Sequence, residues 1–319
     1  MKYSFNLASP WDLERFASRD ELLQLLQGFD GVELNYISAD ERDLLPRERV
    51  LGFHMSYFPC WLPLWRGDET ALLREFGSWS MVEQVFGGRD REAILRRFRR
   101  DLALARAYGV EYAVFHISEC TIEETFTGSY ARRDEEVIEA AAELINLLLR
   151  EEDGSIAFLM ENLWQPGLRF TNPAMTRKLL DAVDYENKGI MLDTGHLLHT
   201  NEDLQTQEEG LAYIHSLLDA HGDLCRHIRG VHLNQSLTGA YCRRVRQELP
   251  VMEADYEKRQ GQMFWHAFAV DQHKPFACPG VRELLQRIAP EYVTFEFITE
   301  DLSQHREFLQ QQKEALGLT

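Results

Sequence analysis

Six short apolar segments of this chain each end on a histidine or a carboxylate. The residues at these ends are His54, His116, Glu161, Asp193, His232 and Glu296. One polar residue closing an apolar segment is ordinary, but six such endings suggest strands that point their ends at a common centre. Histidine and carboxylate side chains are ligands of divalent metals. The pattern therefore predicts a metal centre at one end of a ring of strands.

Four of these residues form the predicted principal site, because they would come from four neighbouring strands. They are Glu161, Asp193, His232 and Glu296. Three oxygen ligands and one nitrogen ligand are a mixed set that Zn²⁺, Mn²⁺, Mg²⁺ and Co²⁺ all tolerate.

Other residues of the same types could hold further ions. A second metal could bind to His196 of the segment LDTGH together with Asp271 and His273 of VDQHKPF. His54 and His116 could ligate another metal or donate to substrate oxygens. We therefore expect one to three divalent ions per chain. The remaining histidines lack a strand-end position and are interpreted as structural or surface residues: His199, His215, His221, His227, His266 and His305.

The elements that must position these residues alternate between strand-like and helical patterns. Nearly continuous apolar runs, which suit buried parallel strands, lie at 2–8, 31–36, 50–57, 112–118, 156–163, 189–196, 228–235 and 292–298. Helical patterns lie at 90–108, 133–151, 173–183, 206–222, 279–289 and 302–316. Asn172 is a plausible N-cap, with Pro173 at the first helical position. The alternation predicts a (β/α)8 TIM barrel in a single domain, residues 1–319; an open doubly wound sheet is the alternative.

Two connections are too long for plain turns, and we interpret them as long loops. Residues 58–88 follow the third strand and residues 236–270 follow the seventh, and both are rich in aromatic residues. Both leave the C-terminal ends of strands, where barrel enzymes build their sites. The aromatics could form binding walls or simply pack beneath the loops. We expect Tyr57, Trp61 and Trp164 to contact the substrate.

Composition narrows the range of partners. The formal net charge of the 319 residues is −18, which argues against a broad surface for nucleic acid. The first residues lack the apolar region of a signal peptide, and no apolar run approaches the ~18 residues of a membrane span. Five cysteines without C-x-x-C spacing are typical of free thiols. We expect a cytoplasmic protein with a small-molecule partner and no membrane; composition leaves its oligomeric state open.

On these residues the chain resembles the xylose isomerase-like TIM-barrel superfamily, which unites sugar isomerases and epimerases with abasic-site endonucleases of the endonuclease IV type. LDTGH at 192–196, GVHLN at 230–234 and D-Q-H-x-P at 271–275 carry the resemblance, in family order. It implies that the four residues of the principal site share one metal. In the endonuclease branch it implies three zinc ions with nine ligands, which here would be Glu161, Asp193, His232, Glu296, His54, His116, His196, Asp271 and His273. Tyr57 fits a tyrosine of the same branch.

The resemblance leaves the reaction open, because sugar isomerase and epimerase relatives often carry the same histidines and D-x-H segment. Gln235 stands where repair enzymes usually have aspartate, and ENLWQPG after strand 5 replaces a glycine-rich stretch. We therefore predict a divalent-metal-dependent isomerase or epimerase for a sugar or polyol, with Glu161 and Glu296 transferring a proton between carbons. The alternatives are a multi-zinc phosphoester hydrolase of the endonuclease IV type and a non-catalytic barrel that binds metal or sugar.

Overall fold

Eight parallel strands close into a barrel in chain order, with β1 paired to both β2 and β8. The computed structural model describes residues 1–36 and 43–318. The strands are β1 (Lys2–Ser9), β2 (Gly31–Tyr36), β3 (Val50–His54), β4 (Tyr112–His116), β5 (Ala157–Glu161), β6 (Lys188–Asp193), β7 (Ile228–Leu233) and β8 (Tyr292–Phe295). The closed barrel confirms the predicted (β/α)8 fold and excludes the open sheet.

Fourteen α-helices occur in the described part of the chain. They are α1 (Arg19–Leu25), α2 (Leu62–Arg66), α3 (Glu69–Phe76), α4 (Trp79–Phe86), α5 (Arg91–Tyr108), α6 (Ile122–Thr127), α7 (Asp134–Leu148), α8 (Pro173–Ala182), α9 (Thr194–Leu198), α10 (Gln207–His221), α11 (Gly239–Gln247), α12 (Tyr256–Val270), α13 (Gly280–Ile288) and α14 (Leu302–Leu316). None of them, within the described residues, is long and apolar enough to cross a membrane.

The predicted helix boundaries agree with the local capping chemistry. Asp90 accepts a hydrogen bond from the backbone N–H of Ala93 at the start of α5, and Gly109 ends that helix in a left-handed conformation. Asn172 caps α8 through the backbone N–H of Ala174, and Pro173 occupies the first helical position.

The predicted ends of six strands lie two or three residues too far along the chain. The residues that follow the strands from β3 to β8 mix apolar and polar side chains, so they do not mark where pairing stops. The clearest case is β6, which ends at Asp193 because α9 begins at Thr194. The shorter strands leave the predicted ligands at the very rim of the barrel.

The two long connections are helical, which corrects our interpretation of them as loops. Residues 58–88 contain α2, α3 and α4, and residues 236–270 contain α11 and α12. Asp68 and Ser78 cap the starts of α3 and α4, while Gly67, Gly77 and Gly87 end α2, α3 and α4 with positive φ. The helices α2, α3 and α4 span only five to eight residues, which is too short for a clear helical period in the sequence.

The lower half of the barrel is filled around Tyr112. A Cβ on Gly52 would lie 2.1 Å from the Tyr112 ring, so only glycine lets the ring cross the barrel. The Tyr112 hydroxyl donates to Oε2 of Glu33 at 2.8 Å, and the Thr294 hydroxyl donates to the same oxygen at 3.1 Å. This buried network forms the floor beneath the predicted ligands.

Candidate metal centre

The C-terminal rim of the barrel gathers the six strand-end residues. Four are the last residues of their strands, one is next to last in β7, and one directly follows β8. In that order they are His54, His116, Glu161, Asp193, His232 and Glu296. Because all eight strands run parallel, their carboxyl ends share one face. The predicted convergence of these positions is therefore a consequence of barrel closure.

Glu161 lies at the centre of the group and is fully buried. Its Oε2 lies 2.9 Å from Nε2 of His116 and 3.2 Å from Nε2 of His54. Its Oε1 lies 3.1 Å from Nδ1 of His232 and 3.3 Å from Nδ1 of His196. One carboxylate thus contacts four histidines and can bridge two neighbouring positions.

Glu33 fixes the orientation of His232 from below. Its Oε2 lies 3.0 Å from Nε2 of His232 and already accepts hydrogen bonds from Tyr112 and Thr294. The carboxylate therefore accepts from Nε2–H, which leaves Nδ1 of His232 facing the rim as the nitrogen that could bind a metal ion. Carboxylate–histidine pairs of this kind orient the histidine ligands of metals.

Two further oxygens approach the same nitrogen. Oε2 of Glu296 lies 3.1 Å from Nδ1 of His232, and Oδ2 of Asp193 lies 3.8 Å from it. Asn234 holds the Asp193 carboxylate by donating from Nδ2 to Oδ2 at 2.8 Å. The four residues of the predicted principal site are therefore in contact around one point.

A second group lies on the side of α9. Oδ2 of Asp271 is 3.0 Å from Nε2 of His196 and 2.7 Å from Nε2 of His273. His273 has a left-handed backbone, with φ of 46°, and its N–H donates to the Ser236 hydroxyl at 3.2 Å. Asp193 joins this group, because its Oδ1 is 3.7 Å from Nδ1 of His196.

The spacing of these donors fits divalent metal ions. Three sets bring their ligand atoms within 4.8 Å of one another: Glu161, Asp193, His232 and Glu296; His54, His116 and Glu161; Asp193, His196 and His273. A fourth set of this kind contains Glu33, His54, His232 and Glu296. Donors that each lie about 2.0–2.2 Å from one ion must themselves lie within about 4.4 Å of each other. The cluster therefore meets this requirement with only small shifts, and its nitrogen and carboxylate donors suit Zn²⁺ or Mn²⁺.

Burial and mutual attraction shift the pKa values of the cluster in opposite directions. Burial lowers the pKa of His232, but Glu296, Glu33 and Glu161 outweigh burial and raise it well above 6.5. Burial raises the pKa of Glu161, yet His116 and His232 outweigh burial and lower it. Burial dominates at Asp193 and raises its pKa to about 7. Bound cations would replace these protons, since metal ligands must be deprotonated.

The three predicted substrate contacts lie in different surroundings. Tyr57 is 37% exposed, and its ring lies 4.6 Å from the His116 ring. Trp164 is half-buried, with its ring 5.3 Å from that of His196. Both border the cluster. Trp61 is only 6% exposed and donates its Nε1–H to the Ser118 carbonyl. Its contact with the substrate stays a prediction.

Two residues that contact the cluster, Glu33 and His199, are not predicted from the sequence. Glu33 was overlooked inside the strand GVELNY, although a lone glutamate in an apolar strand is a usable signal. His199 was interpreted as structural or surface, yet its Nε2 lies 3.2 Å from Oδ1 of Asp271. Its position three residues after His196 places both histidines on one side of α9 and could have revealed it.

The sequence matches the family described as xylose isomerase-like TIM barrel over residues 26–312. The chain belongs to this family. No curated protein sequence matches it.

Solved structures share the fold at low sequence identity. The 3-keto-D-glucoside 4-epimerase YcjR from E. coli superimposes with a TM-score of 0.52 at 14% identity, covering 98% of this chain and 99% of that one. D-psicose 3-epimerase in the presence of D-fructose superimposes with a TM-score of 0.51 at 13% sequence identity, covering 99% of this chain and 100% of that one. The IolI protein with a bound zinc atom superimposes with a TM-score of 0.51 at 14% sequence identity, covering 99% of this chain and 96% of that one. At these identities the similarity concerns the fold.

Proposed function

We propose that this protein is a divalent-metal-dependent isomerase or epimerase that moves a proton between carbons of a sugar or polyol. The observation that carries the proposal is the approach of two glutamates to one imidazole. Glu161 and Glu296 each place a carboxylate oxygen 3.1 Å from Nδ1 of His232. Two carboxylates facing one centre can serve as base and acid on either side of a substrate carbon.

A bound divalent ion would supply Lewis-acid polarisation of neighbouring carbonyl and hydroxyl oxygens of the substrate. Glu296 is the better placed base, because its side chain is 13% exposed whereas that of Glu161 is fully covered. Burial raises the pKa of Glu296, but His232 and His273 outweigh burial and lower it. Glu296 is therefore ionised at neutral pH and can accept a proton.

The walls beside the cluster suit an uncharged, hydroxyl-bearing ligand. Tyr57 and Trp164 offer aromatic faces next to His116 and His196. The net charge of −18 disfavours a polyanionic substrate such as DNA. Two of the structures that share the fold are sugar epimerases by name, which supports the same class of substrate.

Deuterium uptake from D₂O tests the proposal. The metal-loaded protein is incubated with a panel of ketoses, aldoses and inositols, and carbon-bound deuterium is followed by NMR. We expect exchange into at least one compound, lost in Glu161→Gln and in Glu296→Gln. Glu143→Gln, a partly exposed surface change, is the control and should retain exchange. No exchange with any member of the panel would count against the proposal.

One observation favours a second candidate, a multi-metal phosphoester hydrolase. Glu161 and Asp193 each belong to the principal set and to one of the two other sets, so each could bridge two neighbouring cations. Several cations around one phosphate could stabilise the charge that develops during hydrolysis. An abasic DNA duplex at low salt is the test substrate. Cleavage that disappears in Glu161→Gln, without sugar exchange, would favour the hydrolase over the isomerase.

A further inference from the structure

A preformed cleft lies between the two helical inserts on the rim of the barrel. Its volume is about 300 Å³, within the range of small-molecule sites. One wall comes from α3 and α4, the other from α12, and the floor from residues 57–60 with Cys120 and Ile122. The cluster's ligands are absent from its described lining, so the cleft is separate from the metal centre.

The two walls are tied together across the opening. The rings of Phe76 and Tyr256 lie 4.9 Å apart, and Gln84 donates from Nε2 to Oε1 of Glu257 at 2.8 Å. Phe76 packs in turn against Phe86, with ring centroids 5.4 Å apart. These contacts join the two walls directly.

The lining is chemically suited to an apolar group. Its apolar side chains include Phe58, Phe76, Met81, Val85, Phe86 and Met263. Among the described lining residues there is no lysine or arginine, so a phosphate would find no cation in the wall. The buried carboxylate, Glu75, is already engaged, because its Oε1 accepts from the backbone N–H of Ile122 at 3.0 Å. A flat or branched hydrocarbon group would bury its surface against these apolar side chains.

Tyr57 connects the cleft to the metal centre. It lines the cleft, and its ring also lies 4.6 Å from the ring of His116. Its hydroxyl is 3.2 Å from the Ser118 hydroxyl, which keeps the ring in this position. One side chain thus borders both the cleft and the cluster.

From this arrangement we propose that the cleft binds the non-reacting, apolar end of the substrate. The substrate would be a sugar or polyol that carries an aromatic or branched aliphatic substituent, with the sugar at the cluster and the substituent past Tyr57. The proposal rests on the sugar-directed function proposed above, and it goes further by assigning the substituent a site of its own.

Binding of two matched glucosides tests the proposal without turnover. Phenyl and methyl β-D-glucopyranoside are titrated into the metal-loaded full chain by calorimetry. We expect the phenyl compound to bind at least about tenfold more tightly, because the ring buries additional apolar surface. Equal affinities, or no binding of the phenyl compound, would overturn the proposal.

Two variants that fill the cleft from opposite walls give the structural control. Met81→Trp on α4 and Met263→Trp on α12 should each reduce the phenyl preference to less than about twofold, since a tryptophan would occupy the ring's volume. Leu73→Trp, on the exposed side of α3, is the matched control and should keep the preference. Circular dichroism verifies that each variant is folded. A preference that survives in both filled variants would contradict the assignment.

Paramagnetic relaxation gives the orientation. In protein loaded with Mn²⁺, the sugar protons of phenyl β-D-glucopyranoside should relax faster than its ring protons, because the sugar lies nearer the cluster. The reverse order would overturn the proposal. These binding measurements do not depend on proton exchange. A phenyl preference without exchange on any sugar would refute the proposed reaction and support the apolar site. Exchange without a phenyl preference would refute the apolar site alone.

Discussion

His199 holds one oxygen of Asp271 and leaves the other free for the cluster. Nε2 of His199 lies 3.2 Å from Oδ1 of Asp271, and the Ser236 hydroxyl donates to the same oxygen at 3.3 Å. Oδ2 of Asp271 faces His196 and His273. Because Oδ1 is engaged by His199 and Ser236, Asp271 can present only Oδ2 to an ion beside α9.

We expect His199→Leu to weaken metal binding about 10–100-fold, the usual cost of losing a partner that orients a ligand. His199→Gln, which keeps a donor near Asp271, should recover part of the loss. Competition with a chromophoric chelator measures both affinities. His215→Leu, on α10 and away from the rim, serves as the control. Affinity in His199→Leu equal to that of the unmodified protein would show that Asp271 needs no such support.

The double variant Glu161→Gln, Glu296→Gln should lose bound metal. Both carboxylates face Nδ1 of His232, and their replacement by neutral amides removes the charge that balances a divalent cation. Elemental analysis should show fewer metal ions per chain than the one to three expected in the unmodified protein. The paired surface change Glu143→Gln, Glu291→Gln removes the same number of charges outside the rim. An unchanged metal content in the first variant would refute the site.

Gly195→Ala should destabilise the rim by about 1–3 kcal/mol, the typical cost of leaving a buried polar group unsatisfied. A Cβ at this position would lie 1.8 Å from Oδ1 of Asn234, and Asn234 is the residue that donates to Asp193. The displaced amide would leave Oδ2 of Asp193 without its hydrogen bond. Chemical denaturation and metal affinity are the measurements.

Gly261→Ala provides the matched comparison for Gly195→Ala. Gly261 lies in α12, and no atom of a packing neighbour would lie within 4 Å of a Cβ added there. Alanine at this position should be neutral or stabilising by up to about 1 kcal/mol, because it favours the helix. If Gly195→Ala were equally harmless, the close approach of Asn234 would have no role in stability.

His305 should make stability fall as the solution becomes acidic. Burial lowers the pKa of His305 to about 4, and Arg15 adds to this effect. His305 takes up a proton near pH 6.5 in the unfolded chain but only near pH 4 in the folded chain. As the pH falls from about 6.5 to 4, the free energy of unfolding therefore decreases by about 3 kcal/mol in total.

The variant His305→Leu should flatten this part of the stability curve. Urea denaturation at several pH values, with equal metal concentration for both proteins, gives the difference. His215→Gln, at a partly exposed histidine, should change the slope less. Parallel curves for His305→Leu and the unmodified protein would place the acid sensitivity elsewhere.

The barrel could be predicted from the sequence because its strands are separate apolar runs with helical patterns between them. The strands β3, β5 and β8 are buried along their whole length, so such runs are recognisable without knowledge of their neighbours. The ends of the strands are harder to predict, as at β6, where α9 begins directly after Asp193 with no turn residues between them. That residues 1–319 form one domain stays a prediction.

The ligand set was accessible to sequence reasoning for a related reason. Parallel strands bring their last residues to one rim, so the positions of Glu161 and Glu296 follow from the topology alone. Their assignment as metal ligands and catalytic groups stays a prediction. Glu33 escaped notice because its side chain points into the barrel from the middle of a strand, and a nearly uniform apolar strand does not show which residues point inward.

The helical inserts were not recognised because their structure depends on contacts across the rim. Phe76 and Tyr256 are buried or half-buried by packing on each other's helices, which no local pattern contains. Trp61 illustrates the same limit: its burial follows from the hydrogen bond to Ser118 on another loop.

The bridge between Gln84 and Glu257 joins positions 173 residues apart in the chain. During synthesis the insert after β3 leaves the ribosome long before α12, and strands β4 to β7 must emerge in between. Until then the face of Phe76 that later meets Tyr256 of α12 lacks this partner, and the nascent chain carries the uncovered surface while more than half of its residues are added. The cleft therefore forms late in folding, because both of its walls are present only after α12 has been translated.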